Sequence, residues 1–162
     1  MQNYVGVAQG IVASPIVPVT AVASINFAIP VGVRKITVIA VATNSPTNYS
    51  RIQLVDTVAK SAGYISTHVR TDNANGNDGL QITTGLLIPF ACGVSTSGQA
   101  VLIRGDSGGW TLTGIGQWLL GTLGVSTVGG YVVLSGALTA INIAPTSGNW
   151  IAGGTLQLLF EY

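Results

Sequence analysis

Charge is scarce in this sequence: Asp, Glu, Lys and Arg make up 7% of its 162 residues, against about 25% in an ordinary soluble domain. The formal net charge is +1, and only Arg34 and Lys35 are adjacent among the cations. Nucleic-acid binding needs clustered cations that displace counterions, so no nucleic-acid partner is expected. Cysteine and histidine occur once each, as Cys92 and His68. A single cysteine excludes an intrachain disulfide and any multi-cysteine metal site, and Cys92 reads as a small buried apolar residue. A Ser-His-Asp triad would have to use His68 with Asp56, Asp72, Asp78 or Asp106. His68 is instead read as a surface strand residue beside Thr67 and Val69. Those four aspartates and Glu161 are a thin supply for the paired carboxylates of glycoside hydrolysis. Asp72 and Asp78 share an Asn-rich stretch, which lacks the spaced ligands and closing Glu of a calcium loop. Nothing resembles a phosphate-cradling or dinucleotide loop. No catalytic residue, cofactor or metal site is assigned, and the chain is not expected to be an enzyme.

Long apolar runs are missing too. Residues 107–160 carry no charge, yet Gly, Ser, Thr and Asn interrupt them every few positions. No run approaches the roughly 18 residues of a membrane-spanning helix. The start, Met1-Gln2-Asn3-Tyr4, lacks the basic opening and compact apolar core of a signal peptide. Synthesis in a cytoplasm, without a membrane partner, is the expectation.

What is abundant is apolar and hydroxyl-bearing: 48% of residues are hydrophobic, 29 are Ser or Thr, and 22 are Gly. Disorder goes with low hydrophobicity and high charge, so this chain is expected to fold. Low net charge with high hydrophobicity leaves nothing long-ranged to keep free copies apart. A protein that normally sits against neighbours avoids that hazard.

The length suits one core. Residues 1–20 scatter Val and Ile among Gly6, Gly10, Pro15 and Pro18 without a sustained period. Two prolines three apart disfavour a helix or an interior strand, so an extended apolar arm is expected. Its side chains Tyr4, Val5, Val7, Ile11, Val12, Ile16 and Val17 are the candidate assembly contacts, with a partner favoured over the chain's own domain as their cover.

Residues 21–162 read as β. Strands are predicted over 21–28, 34–43, 51–58, 63–70, 81–89, 99–104, 110–113, 117–123, 131–135, 138–143 and 155–162, with Gly-rich turns between them. Ile29-Pro30-Val31-Gly32 reads as a turn and residues 71–79 as a loop. A helix over 116–124 would contain three glycines and is rejected. The fold class is all-β, an antiparallel two-sheet sandwich, with a jelly roll the expected form. Arg104-Gly105-Asp106 is a tripeptide that integrins recognise, but a turn after a strand explains it here. Trp110, Trp118 and Trp150 could stack on sugars, and are read as core or interface residues.

Ile29-Pro30-Val31-Gly32-Val33-Arg34-Lys35-Ile36-Thr37-Val38 resembles the "IPAGVKRITV" opening of small β-sandwich domains of tailed-phage appendage proteins, including tail-fibre tips. Arg51-Ile52-Gln53-Leu54 followed by Gly63-Tyr64-Ile65-Ser66 continues the similarity, as do Gly109 to Gly114 and Ser135 to Ile143. The close, Trp150 to Tyr162, looks like the family's "F-x-A-G-T-h-x-h-x-Y-E" ending, with h apolar. Trp150 stands for the usual aromatic, and Gly153 is extra. The resemblance spans residues 21–162. It implies a protein of the virion surface, made in a bacterial host and commonly a homotrimer, with no catalytic residues to carry over.

The resulting expectation is a capsid decoration (cement) or head-fibre-like protein that binds the major capsid protein or another virion protein, and copies of itself. The alternative is a tail-tip or baseplate module that holds a host surface glycan through the Asn-rich stretch or exposed aromatics. A tail-tube or connector subunit is a third reading.

Overall fold

The computed structural model describes residues 10–44, 49–72, 76–89, 96–120 and 122–162. Among these residues every regular element is a strand: β1 (Ile11–Ala13), β2 (Val17–Pro18), β3 (Ile25–Ala28), β4 (Lys35–Thr43), β5 (Ser50–Val55), β6 (Ile65–Asp72), β7 (Gly76–Ile82), β8 (Leu86–Ile88), β9 (Thr96–Arg104), β10 (Gly109–Leu120), β11 (Thr122–Val133), β12 (Ala140–Pro145) and β13 (Thr155–Glu161). All pair antiparallel in two sheets. The large sheet has nine strands in the order β1-β13-β4-β9-β10-β11-β6-β7, with β2 also on β13. The small sheet has four, β3-β12-β5-β8. The two-sheet antiparallel sandwich expected from the sequence is what the chain forms.

Alternation decides which side of each strand is buried. In β4, Ile36, Val38 and Ala40 point into the core, and in β13 Leu156, Leu158 and Phe160 do the same. They meet Ile25 and Phe27 of β3, Ile52 and Leu54 of β5, and Ile141 and Ile143 of β12 in one cluster. Trp110 and Trp150 belong to it at 2% and 1% exposure, so core is the correct reading for both and neither offers a face to a sugar. The Trp150 Nε1–H donates to the Ile143 carbonyl at 3.4 Å, which keeps its polar atom paired inside. Cys92 and the side chain of Trp118 lie outside the described residues.

The β10–β11 hairpin departs from expectation. The sequence reads as short strands broken by glycine turns, whereas Gly109–Leu120 pairs with Thr122–Val133 along the full length of both. The glycines have a spatial cause. Leu86–Pro89 passes so close to the hairpin that a Cβ on Gly116 would overlap the Pro89 carbonyl, and one on Gly130 would lie 2.7 Å from Leu86 Cδ2. The predicted loop over 71–79 is corrected at 71–72 and 76–79, because β6 runs to Asp72 and β7 begins at Gly76, while residues 73–75 lie outside the described ones. Alternating turn formers still extend when a neighbouring edge supplies hydrogen bonds, here from Ser66 to Asp72 against Ile82 to Gly76. The expected strand over 81–89 splits at residues 83–85 into the end of β7 and β8, which belong to different sheets.

Residues 10–20 lie along β13. Ile11–Ala13 pairs with Glu161–Leu159, and Val17 and Pro18 pair with Leu156 and Thr155. Between them, Ser14 donates its N–H to Leu158 O at 2.8 Å, and its Oγ accepts the Leu158 N–H at 3.0 Å. An edge position tolerates Pro15 and Pro18, which have no N–H to donate, because among the described residues no further strand pairs there. Val19 is buried in the core.

Candidate assembly surface

Among the described residues the small sheet covers the inner face of the large one and nothing covers its outer face. Register places Glu161, Lys35, Ile103, Thr111, Tyr131 and Ile65 in one outward row across six strands. The next outward row is Leu159, Thr37, Val101, Thr113, Gly129 and Thr67. A third holds Gln157, Ile39, Gln99, Ile115, Thr127 and Val69. At the far end lie Thr155, Val41, Ser97, Gln117, Val125 and Thr71, with Val41 at a bulge between Ala40 and Thr43. Only one row carries charge, and there Lys35 Nζ meets Glu161 Oε1 at 2.8 Å, so the pair neutralises itself. A shallow depression of about 370 Å³ opens on this face between Ile39, Gln99, Ile115 and Gln117.

The polarity of β6 runs against the ordinary rule. Its inward side chains Ser66 and His68 are 1% and 2% exposed, while outward Ile65 and Val69 are 61% and 46% exposed. The expected surface position of His68 is therefore corrected: it is buried, edge-on to the Tyr49 ring with centroids 5.1 Å apart. The close passage of Leu86–Pro89 explains the inward polar groups. Among the described residues β8 ends the small sheet, and at its edge Ser66 Oγ accepts the Leu87 N–H at 2.7 Å. Ser126 Oγ donates to the Pro89 carbonyl at 2.8 Å. Small hydroxyls fit where the sheets pinch and satisfy an edge that large apolar side chains would leave unpaired. The outward Ile65 and Val69 have no such explanation within one chain.

Of the sequence-derived contact residues, Ile11, Val12 and Ile16 are exposed on the β13 edge and Val17 is half-buried. Ile11 continues the first outward row, opposite Glu161. Tyr4, Val5 and Val7 lie outside the described residues.

Chemistry-bearing groups are dispersed. Gly105-Asp106-Ser107-Gly108-Gly109 has the spacing of a nucleophile elbow, which requires a strand, a sharp turn and a helix. Here it closes the β9–β10 hairpin between two antiparallel strands, with the Gly105 N–H donating to Gly109 O at 2.8 Å. That hairpin also confirms the turn reading of Arg104-Gly105-Asp106. His68 sits opposite Val128, itself opposite Gly114, so about 17 Å of strand separates its level from Gly109 at roughly 3.4 Å per residue. Ser107 and His68 cannot form a catalytic pair. Among the described residues no cluster of His, Cys, Asp and Glu is placed to hold a metal ion. The side chains of Asp72 and Asp78 lie outside the described ones. A polar cleft of about 170 Å³ is lined by Arg34, Arg104, Gly105 and Asp106.

Among the described residues Asp56 is the most tightly held carboxylate. Its Oδ2 accepts the Ser135 hydroxyl at 2.8 Å and the N–H groups of Ser135 and Gly136 at 3.1 and 3.2 Å, while Oδ1 accepts the Thr57 N–H at 2.7 Å. It ties the turn after β5 to the turn after β11. The Ser135 hydroxyl first, and the Thr57 N–H next, hold its pKa well below the ordinary 3.8. A depressed folded pKa means that this tie stabilises the fold fully above the ordinary value and is lost as pH falls through it toward the folded one. Asp56→Ala is expected to lower the urea midpoint at about pH 7 and to lower it less at about pH 3, where wild type has begun to lose the same contribution. Urea titrations at the two pH values check this.

No family model matches the chain, and a search of curated proteins finds no match.

Proposed function

We propose that this chain is a structural building block of a tailed-phage virion, a decoration or cement protein that binds the assembled head surface through apolar contacts repeated by symmetry. The observation that carries the structural part is the broad outer face of the large sheet, uncharged but for one self-neutralised pair, with Ile65, Val69, Ile103 and Ile115 turned to solvent. The phage context rests on the resemblance of Ile29–Val38 and Trp150–Tyr162 to appendage domains. The partners in this reading are the major capsid protein and copies of the chain, as a homotrimer in the form the resemblance implies, and the location is the virion surface.

The strand path supports a jelly-roll ancestry. The small sheet reads first, fourth, second, third in chain rank. The large sheet repeats that rank order in β4, β11, β6 and β7 once the β9–β10 hairpin is set aside. Two four-stranded layers of this kind make a jelly roll, here widened by the hairpin and by β1, β2 and β13.

The edge on β13 supplies the shell contact. Ile11 and Ile16 are exposed there at 64% and 61%, whereas Val19 anchors the segment to the core. Deleting residues 2–9 and replacing Ile11 and Ile16 by Ser spares Val19 and the β13 pairing. This variant is expected to keep its melting temperature and to lose occupancy on particles, read by immunogold labelling of purified virions. Full occupancy would overturn the reading.

The second reading, a receptor-binding module at the tail tip, draws on the polar cleft of Arg34, Arg104, Gly105 and Asp106, whose mixed charges suit a hydroxyl-rich or acidic glycan. It expects the isolated protein to bind host surface polysaccharide, with labelling at the tail instead of the head.

A further inference from the structure

We infer that the outer face of the large sheet is covered by another copy of this chain. The inference rests on the structural-protein reading above and names the partner of that face.

Area is the first argument. Six strands from β13 to β6 spaced at about 4.8 Å, with four outward rows about 6.8 Å apart, span on the order of 800 Å². A stable protein interface buries about 800 Å² on each partner, so the face is large enough by itself.

Polarity is the second. A strand with one wet face turns its apolar side inward, because a one-residue change of register exchanges the two sides. In β6 the exposed side carries Ile65 and Val69, and the buried side Ser66 and His68. The outward apolar set continues through Tyr131, Val125, Ile115 and Ile103 on the neighbouring strands. Burying the outer side as well, as in strands covered on both faces, takes this apolar set out of water.

Charge selects the occupant. Specificity toward a foreign protein is commonly written in complementary charges. This face has only the Lys35–Glu161 pair, already closed on itself at 2.8 Å. It presents no charge code for a foreign surface and no repulsion against its own copy, in a chain whose formal net charge is +1. Its Thr and Gln side chains can pair across the interface, as cross-face hydrogen bonds among the Ile and Val.

The test is the mass of the full-length protein by sedimentation equilibrium over a wide concentration range. Ile115→Lys places an unpaired charge in the interior of the face, and Val69→Lys places one on β6, the last of its six strands. Val58→Lys, at a residue 72% exposed in the turn after β5, is the control. Wild type and the control are expected to associate to two or three times the 16.5 kDa chain mass. Both face variants are expected to stay folded by circular dichroism and to associate at least about tenfold more weakly, as loss of a central interface residue does. A wild-type protein that is monomeric throughout would overturn the inference, as would an oligomer indifferent to both face variants. So would a monomer whose face binds purified shell protein in an Ile115-dependent way. Self-association is read on the isolated chain and virion placement on particles, so either can fail while the other stands.

Discussion

Gly116→Val should destabilise the isolated domain by about 3 kcal/mol or leave it unfolded, the upper range for forcing volume into a packed interior. The cause is a fixed obstacle. A Cβ at residue 116 would overlap the carbonyl of Pro89, which is backbone and held by the Ser126 hydroxyl at 2.8 Å. Relief would require Leu86–Pro89 to move, which would also strip the Leu87 N–H from Ser66. Gly129 is the matched control in the same hairpin. A Cβ there meets only Thr67 Oγ1 at 3.9 Å, so Gly129→Ala should be neutral or stabilising by roughly 0.5 kcal/mol, through reduced freedom of the unfolded chain. Urea titration of both variants decides the matter. If Gly116→Val were as stable as wild type, the close passage of Leu86–Pro89 over β10 would be wrong.

The second large effect separates the two faces of one strand. Leu102 and Ile103 are neighbours on β9, the first fully buried and the second 48% exposed. Leu102→Ala is expected to cost about 3 kcal/mol, the transfer free energy of the lost methyl groups plus the cavity left between the sheets. Ile103→Ala should cost the dilute, dissociated chain less than about 1 kcal/mol, since water already reaches that side chain. At concentrations where copies associate, the cost of Ile103→Ala should rise while that of Leu102→Ala stays the same. Denaturation midpoints at low and high protein concentration supply the comparison. Equal costs in the dilute chain would mean that the outer face is not bare.

Parts of this fold were legible in the sequence for simple reasons. In β4 and β13 every second position carries an apolar residue that faces the covered core, Ile36, Val38 and Ala40 in one and Leu156, Leu158 and Phe160 in the other, so alternation and burial agree. Ile29-Pro30-Val31-Gly32 turns as read, with Gly32 at φ +89° where a side chain would be strained. The β6 alternation was legible but its sense was not. Which side faces inward there depends on Leu86–Pro89 arriving from some twenty residues away in sequence, and on what covers the outside. The glycines of β10 and β11 look like turns locally, and only the approach of a third segment shows them to be spacers. Asp56 carried a local signal, an aspartate at a strand end that accepts the next N–H. Its ties to Ser135 and Gly136 span about eighty residues, beyond any local pattern. The candidate contacts Ile11, Val12 and Ile16 were legible as exposed apolar groups, but their docking along β13 follows from an edge that only the folded sheet presents. The broad outer face was missed as a site because it is assembled from six strands, each of which contributes only four ordinary residues.

Solvent protection of Tyr131 tests most directly whether that face is covered. Tyr131 stands in the first outward row, 39% exposed in the single chain, and a phenol is readily oxidised by hydroxyl radicals. In particles or concentrated protein its oxidation should fall at least several-fold relative to the dilute chain, while Val58, away from the face, is modified equally in both. Equal oxidation of Tyr131 in the assembled and dispersed protein would contradict a covered outer sheet.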